Sequence, residues 1–343
     1  MLDGGSVWTD RLENVFGSSS PLGCRPEAEE RIDAAKIKVK ITFMPIIHPA
    51  RLFGVARSRG FAVGFFESWD IASLQGVIDA AEEADAPIVV GFNGDFMSRE
   101  DRVATERVEW YGALGRAAAE TARVPCGVIF NECPQDDWVR AAVDSGFNLV
   151  MPADPRATRE DFLRRAKELA EYAHARNVGI EAGIEELPSG ATGKVTGERR
   201  QTDVREAAEF VAETGVDLLG VSVGNVHIQL KGERSLDFER LGALAEAVGA
   251  GLVLHGGTGI PLRDLRRAAA LGVVKINFGT YLKQAWLKVM RTALGRGPRN
   301  PHRLLGMGGK EDALMRGRLA VKEAVLARFE PLGCVGMASA YRD

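Results

Sequence analysis

The strongest constraint on the fold is a repeated alternation of short apolar segments with amphipathic helical segments between residues 61 and 294. Apolar strands that alternate with helices are typical of a parallel sheet covered by helices. Eight such units are what a closed (β/α)8 barrel requires, so the sequence predicts an α/β fold of the TIM-barrel type. The predicted strands are 61–66, 87–92, 124–131, 147–151, 178–182, 217–223, 251–256 and 273–277. The predicted helices are 71–84, 101–122, 136–145, 159–176, 203–214, 236–248, 261–271 and 280–294.

The alternative is an open, doubly wound sheet. That fold commonly carries a glycine-rich turn after its first strand, where a helix N-terminus meets a dinucleotide. The corresponding segment here, FFESWD at 65–70, contains no glycine. The closed barrel is therefore the favoured fold.

The two ends of the chain differ from the repeating part. Residues 1–43 contain Ser- and Gly-rich stretches and a short polar helical segment at 26–38, so they are expected to be an N-terminal extension, either mobile or a docking arm. Because Met44 opens a stretch like a domain start, a mis-called upstream start codon is a third interpretation. Residues 44–343 are expected to form the barrel with a C-terminal helix at 311–333. Its apolar stripe predicts a partner surface on the barrel or on another subunit. The stripe consists of Leu314, Leu319, Val321, Val325 and Leu326.

Composition excludes several classes of protein. The chain carries 44 Lys and Arg against 47 Asp and Glu, for a net charge of −3, which does not favour nucleic acid or an anionic membrane. No apolar run reaches the roughly 18–20 residues of a membrane span. The N-terminus shows no signal-peptide pattern. Four cysteines without a CxxC pair predict a reducing, cytoplasmic setting rather than a disulfide scaffold.

Polar side chains follow several of the predicted strands, where active sites of such barrels form. His227 and His255, two of only five histidines, follow neighbouring strands, which suits a metal site. The segment HGGTGIP at 255–261 precedes a helix, and glycine-rich backbone at a helix start is suited to binding an anion. The other polar or small residues after strands are Asn131, Glu132, Cys133, Glu181, Glu185, Glu186, Asn277, Gly279 and Thr280.

Other reactive side chains have simpler interpretations. His48, His174 and His302 lie away from the predicted strand ends and are expected at the surface. Cys126 and Cys133 flank the third strand with no evident base nearby and are expected to pack as small residues. A Schiff-base role for Lys275 is disfavoured, because this lysine lies inside the eighth strand.

The chain resembles the class II, metal-dependent ketose-bisphosphate aldolases. The resemblance is carried chiefly by LVLHGGTGIPLRDLRRAAALGVVKINFGTYLKQAW at 252–286, and it is supported by VDLLGVSVGNVHIQLKG at 216–232 and FAVGFFESWDIASLQGVIDAAEEADAPIVV at 61–90. It extends over about residues 44–340. It implies a TIM barrel in which zinc, held by three histidines, polarises the ketone of dihydroxyacetone phosphate and stabilises an enediolate.

The resemblance also implies roles for individual residues. His227 and His255 match two metal ligands, and Glu181 matches an acid at the fifth strand that is either a partner of a metal-bound histidine or a base. The residues expected to bind substrate or phosphate are Gly256, Gly257, Thr258, Asn277, Gly279 and Thr280.

Several positions depart from the pattern of the family. The catalytic aspartate is Asn131, which cannot supply a proton but can donate a hydrogen bond, and the third metal histidine is Glu132. Glu132 is expected to be a metal ligand, with a substrate contact or a purely structural role as alternatives. The other departures are Glu67 for Asn, Asn93 for Ser, Gly183 for an acid, Ile228 for Gly and Gly279 for Asp.

The sequence thus predicts a metal-dependent aldolase-type lyase, with zinc as the expected ion. Its substrate would be a ketose phosphate, for which fructose 1,6-bisphosphate is the family default, or a related keto sugar or keto acid without phosphate. A catalytically inactive barrel that binds a sugar phosphate as a subunit or sensor is the alternative from another class. The resemblance further implies a homodimer or homotetramer.

Overall fold

The computed structural model describes residues 46–192, 194–197, 200–296 and 298–342. The expected N-terminal extension, residues 1–43, and its polar helix lie outside the described residues, so both stay predictions.

Eight parallel strands form a closed barrel in the order in which they occur in the chain. The first strand pairs with the last, with Val63 beside Lys275 and Phe65 beside Asn277, which confirms the (β/α)8 barrel and contradicts the open sheet. The strands are β1 Val63–Glu67, β2 Ile88–Asn93, β3 Cys126–Cys133, β4 Leu149–Pro152, β5 Gly179–Gly183, β6 Leu218–Gly220, β7 Gly251–Leu254 and β8 Val273–Phe278.

Helices lie before, between and after the strands. They are α1 Pro49–Arg59, α2 Ile71–Ala84, α3 Gly94–Ser98, α4 Val108–Thr121, α5 Asp136–Asp144, α6 Arg159–His174, α7 Val204–Thr214, α8 Phe238–Ala247, α9 Leu262–Ala270, α10 Thr280–Arg296, α11 Pro301–Leu304 and α12 Ala313–Leu332. The predicted helix 101–122 begins only at Val108, because the preceding chain forms a loop after α3. The Asn93 side chain caps α3 by accepting a hydrogen bond from the Phe96 amide.

Strand β3 is as long as predicted but lies two residues further along the chain. It continues through Cys133, so Glu132 and Cys133 are strand residues rather than loop residues. In the register, Asn131 lies beside Asn93 of β2. Conversely, β6 ends at Gly220 and β7 at Leu254, before the predicted ends at 223 and 256. His255 therefore directly follows its strand.

The C-terminal helix α12 packs against the barrel's own helices α2 and α10. Val321 and Val325 are fully buried there, and Arg318 forms an ion pair with Asp79 of α2. Of the predicted stripe, only Leu314 and Leu319 are exposed, at 38% and 49%. The barrel's own helices therefore cover part of the predicted stripe, which was one of the two partner surfaces expected for it.

Among the described residues, no helix is long and apolar enough to cross a membrane. Cys126, Cys133 and Cys334 are buried free thiols. Burial raises the pKa of Cys126 to about 12 and that of Cys133 to about 11, so neither thiol is a nucleophile at neutral pH. These positions agree with the packing role expected for Cys126 and Cys133.

Candidate active site

A cavity of about 250 Å³ opens at the carboxyl ends of the strands. Side chains from the first, second, third, seventh and eighth strand ends meet there with the loop that follows β6. The lining residues are Phe65, Glu67, Asn93, Phe96, Asn131, Glu132, His227, Ile228, Leu230, His255, Gly256, Thr258, Asn277, Phe278, Gly279, Thr280, Lys283, Gln284 and Leu287. Most of the predicted site residues thus line this cavity.

Glu132 is the hub of the polar side chains in this cavity. Its Oε1 lies 2.7 Å from Nδ1 of His255 and 3.4 Å from Nε2 of His227. Its Oε2 accepts a hydrogen bond from the Asn93 amide at 2.9 Å. The three side chains predicted to be metal ligands therefore lie close together, although Glu132 is about a hundred residues from either histidine in the sequence.

A second layer of polar groups lies beneath His255. Nε2 of His255 lies 2.8 Å from Oε1 of Glu181, whose side chain is 0% exposed. Lys275 donates to the other oxygen of Glu181 at 2.7 Å and to Oδ1 of Asn277 at 2.7 Å. Glu181 is therefore held between an imidazole and an ammonium group. This arrangement fits a partner of His255 better than a base that reaches substrate.

These contacts determine the charges of the groups. Burial lowers the pKa of His255, but its hydrogen bonds to Glu132 and Glu181 outweigh burial and raise the pKa to about 9. Burial by itself would raise the pKa of Glu132. The neighbouring His227 and His255 outweigh burial and hold this pKa well below its usual range. The result is an imidazolium placed between two carboxylates.

Two residues of the site have backbone conformations that are unusual for side chains other than glycine. Glu132 has φ of 58° and Ile228 has φ of 50°. Left-handed backbone at a β-branched residue such as Ile228 is strained, by about 1–3 kcal/mol, and such strain is concentrated at functional sites. The segment that carries Ile228 is tied to the loop after β5, because the His227 amide donates to the Pro188 carbonyl at 2.9 Å.

The fit of a metal ion depends on Glu132, His227 and His255. No group of three or more His, Cys, Asp or Glu side chains in the described part of the chain is arranged to hold a metal ion. The three side chains contact one another instead. As a donor set, however, two imidazoles and a carboxylate suit a divalent ion such as zinc. The contact of His255 with Glu181 also matches the carboxylate that commonly orients a metal-bound histidine.

The predicted phosphate site is partly formed. Gly256, Thr258, Gly279 and Thr280 line the cavity, whereas Gly257 does not. Gly256 has φ of 69°, and a Cβ there would collide with the Val226 carbonyl oxygen, so glycine is required at this turn. The Thr258 hydroxyl accepts a hydrogen bond from the Tyr281 amide at 3.3 Å, which ties the turn to the start of α10.

Asn131 lies in the cavity wall with an unused polar atom. The residue is 4% exposed, and its Oδ1 is buried without a hydrogen-bond partner among the described residues. A buried amide without partners is costly unless a ligand or water satisfies it. Asn131 is therefore positioned to bond a polar group of a bound molecule, and its role stays a prediction.

The remaining histidines lie outside the cavity, as the sequence predicted. His48 caps α1 by accepting from the Ala50 amide, His174 contacts Asp217, and His302 is exposed. Lys275 is 0% exposed and paired with Glu181, which agrees with the rejection of a Schiff-base lysine.

Sequence reasoning missed Lys283 and Phe96. The ammonium of Lys283 pairs with Glu67 and lies 4.6 Å from the centre of the Phe96 ring. Lys283 lies one helical turn after Thr280, so its spacing from the predicted phosphate donor was the available signal. Phe96 lies on the short helix α3, which the pattern did not predict.

Comparison with known proteins identifies the relatives of this chain. The sequence profile described as "Fructose-bisphosphate aldolase class-II" matches residues 48–337. A fructose-bisphosphate aldolase of Geobacillus stearothermophilus is 30% identical over 306 residues, which cover 86% of this chain and 100% of the relative. A 6-phospho-5-dehydro-2-deoxy-D-gluconate aldolase of Halalkalibacterium halodurans is 31% identical over 258 residues, or 73% of this chain and 86% of the relative.

A solved structure shows the same architecture. The crystal structure of an aldolase from Escherichia coli K12 superimposes with a TM-score of 0.70 at 27% sequence identity. The superposition covers 86% of this chain and 100% of that chain.

Proposed function

The chain belongs to the class-II fructose-bisphosphate aldolase family and is an aldolase-type lyase, and on that premise we propose that it makes or breaks a carbon–carbon bond in a ketose phosphate or related keto sugar. The single observation that carries the proposal is the meeting of Glu132, His227 and His255 at the cavity wall. The relatives' substrates, fructose bisphosphate and a phosphorylated keto-sugar acid, support a sugar phosphate as the first substrate class to test.

We propose that Glu132, His227 and His255 hold a divalent ion, with zinc as the first choice. The family is metal-dependent, and when bound the ion supplies the positive charge that polarises a carbonyl group. Glu181 and Lys275 hold the His255 ring in place, because Glu181 contacts Nε2 while Nδ1 faces Glu132. Glu181 is thus proposed as a positioning residue rather than as the base.

Asn131 is proposed to hold the oxygen of the reacting carbonyl or alcohol by a hydrogen bond. Its side-chain amide lines the cavity next to Glu132 and supplies two N–H donors. An amide orients and stabilises an oxyanion but transfers no proton. Asn277, which is bonded to Lys275, and the Gly256–Thr258 turn with Gly279 and Thr280 complete the proposed substrate contacts.

Metal binding provides the first test. After equilibration with zinc, the protein should contain about one divalent ion per chain by elemental analysis, and the double variant His227→Ala/His255→Ala should contain almost none. His174→Ala is the matched control, because His174 lies outside the cavity and its ring contacts Asp217. In parallel, aldehyde release from phosphorylated and non-phosphorylated keto sugars should require the added ion. A wild-type protein that retains no metal and releases no aldehyde from any of these substrates contradicts the proposal.

Self-association provides a second test. We expect a homodimer or homotetramer, and the exposed Leu314 and Leu319 with Leu287 and Leu294 of α10 are available apolar side chains for it. Light scattering at micromolar protein should give two or four times the mass of one chain. The mass of a single chain under these conditions would contradict this expectation.

A further inference from the structure

Glu67, at the end of β1, occupies the space in which a side chain of residue 279 would lie. A Cβ built on Gly279 would collide with Oε2 of Glu67. Because β1 and β8 are neighbours in the barrel, the two positions face the same part of the cavity. The positions of the glutamate and the glycine are therefore linked, because a side chain at residue 279 would displace the Glu67 carboxylate from its present position.

The charge of Glu67 is balanced by Lys283 of α10. The ammonium group pairs with Oε1 of Glu67 and lies 4.6 Å from the ring centre of Phe96 and 5.8 Å from that of Trp69. Among the described residues that line the cavity, Lys283 is the only Lys or Arg. The cation best placed to attract an anionic ligand is thus already engaged by a carboxylate.

The Glu67 carboxylate also lies next to the predicted phosphate site, since Gly279 is followed directly by Thr280. A dianion bound there would be repelled by a carboxylate in a partly buried setting, where charges are weakly screened. Burial raises the pKa of Glu67, and the contact with Lys283 opposes that rise. Ile228 adds an apolar group to the lining of the cavity.

We infer that Glu67 and Lys283 form a specificity-determining pair that disfavours phosphate beside Gly279 and Thr280 and favours a neutral, hydroxyl-bearing end of the substrate. The inference rests on the proposed function only in taking a keto sugar as the ligand. Glu67 accepts hydrogen bonds from hydroxyl groups, whereas a phosphate must compete with it for Lys283.

The test is a calorimetric titration of the as-purified protein with inorganic phosphate, which gives the Kd for phosphate. Glu67→Gln keeps the shape of the side chain, removes its charge and releases Lys283. It should lower the Kd for phosphate about tenfold, the effect of one screened like charge at this range. The double variant Glu67→Gln/Lys283→Met should lose that gain, because the released ammonium group is then missing.

Glu83→Gln is the matched control. Glu83 forms an ion pair with Lys322 between α2 and α12, which is also a Glu–Lys pair but lies outside the cavity. Its substitution should therefore leave phosphate binding unchanged. Thermal unfolding should show that each variant is folded. Equal phosphate affinity of wild type and Glu67→Gln, weaker binding by Glu67→Gln, or no binding by either would overturn the inference. This experiment measures no turnover. The tighter phosphate binding expected of Glu67→Gln would therefore be seen even in a protein that cleaves no keto sugar.

Discussion

Fructose 1,6-bisphosphate should be cleaved about 10²–10⁴-fold more slowly by this protein than by its fructose-bisphosphate aldolase relatives, because we expect Asn131 to stand where the family has the residue that donates the proton. That factor corresponds to roughly 3–5 kcal/mol of activation free energy. The Asn131 amide keeps a similar shape and can hold an oxygen atom, but it has no transferable proton at any working pH. The amide can therefore orient the substrate oxygen, but most of this activation free energy remains because no proton is transferred.

Glu132 acts in the same direction. If Glu132 is the proposed metal ligand, a carboxylate in place of a neutral imidazole adds negative charge beside the divalent ion and weakens the ion as a Lewis acid toward a ketone. The carboxylate is ionised here, because His227 and His255 hold its pKa well below the usual range against the opposing effect of burial. The two substitutions together therefore favour a different or slower reaction than the one named for the family.

The measurement is a side-by-side assay with the Geobacillus stearothermophilus relative under identical metal loading. Asn131→Asp combined with Glu132→His should regain part of the lost rate. His174→Ala, outside the cavity, should change nothing. Turnover of fructose 1,6-bisphosphate at about 10 per second or more, the ordinary range for enzymes, would contradict the prediction and favour the family default.

Lys275→Met is expected to lower the free energy of unfolding by about 3–5 kcal/mol, because it removes one partner of a buried ion pair. The side chains of Lys275 and Glu181 are both 0% exposed, and Nζ lies 2.7 Å from Oε2 of Glu181. Methionine fills similar space but leaves the Glu181 oxygen and Oδ1 of Asn277 without their donor. Denaturant unfolding of the two proteins measures the difference.

Lys322→Met is the control for this prediction. Lys322 also pairs with a glutamate, but its partner Glu83 is 55% exposed, so the loss should be at most about 1 kcal/mol. The double variant Lys275→Met/Glu181→Gln should recover part of the stability, because no uncompensated carboxylate is then buried. Equal losses of unfolding free energy in Lys275→Met and Lys322→Met would contradict the prediction that the buried pair with Glu181 contributes more to stability than the exposed pair with Glu83.

The barrel could be predicted from sequence because its signal is local and repeated. Each strand, such as β2 with its apolar run, and each helix, such as α2 with its periodic face, is specified by a few adjacent residues. Closure then follows from the number of units and the handedness of their connections. The predicted boundaries erred where a polar residue continues a strand, as at Glu132, or where a loop has helical composition, as before Val108.

The candidate site was predictable only as a set of strand ends. The residue types and their positions after strands indicated that Glu132, His227 and His255 belong together, since barrel geometry brings those ends to one face. Sequence offered a contact between Glu181 and a metal-bound histidine only as one of two alternatives, and it did not indicate the other contacts. That Asn93 donates to Glu132, and that Lys275 and Glu181 lie beneath His255, depends on strand register and on side-chain directions set by packing.

The sequence alone therefore determined the barrel and the family, and it predicted the positions at which that family's chemistry is altered, because these depend on local patterns and residue identity. Only the tertiary structure showed that Glu67 fills the space beside Gly279 and that Lys283, on a different element, neutralises it. Glu67 and Lys283 are more than two hundred residues apart in the chain. Their charges act on each other because closure of the barrel brings β1 beside β8, which leads into α10, and electrostatic interactions depend on distance in space.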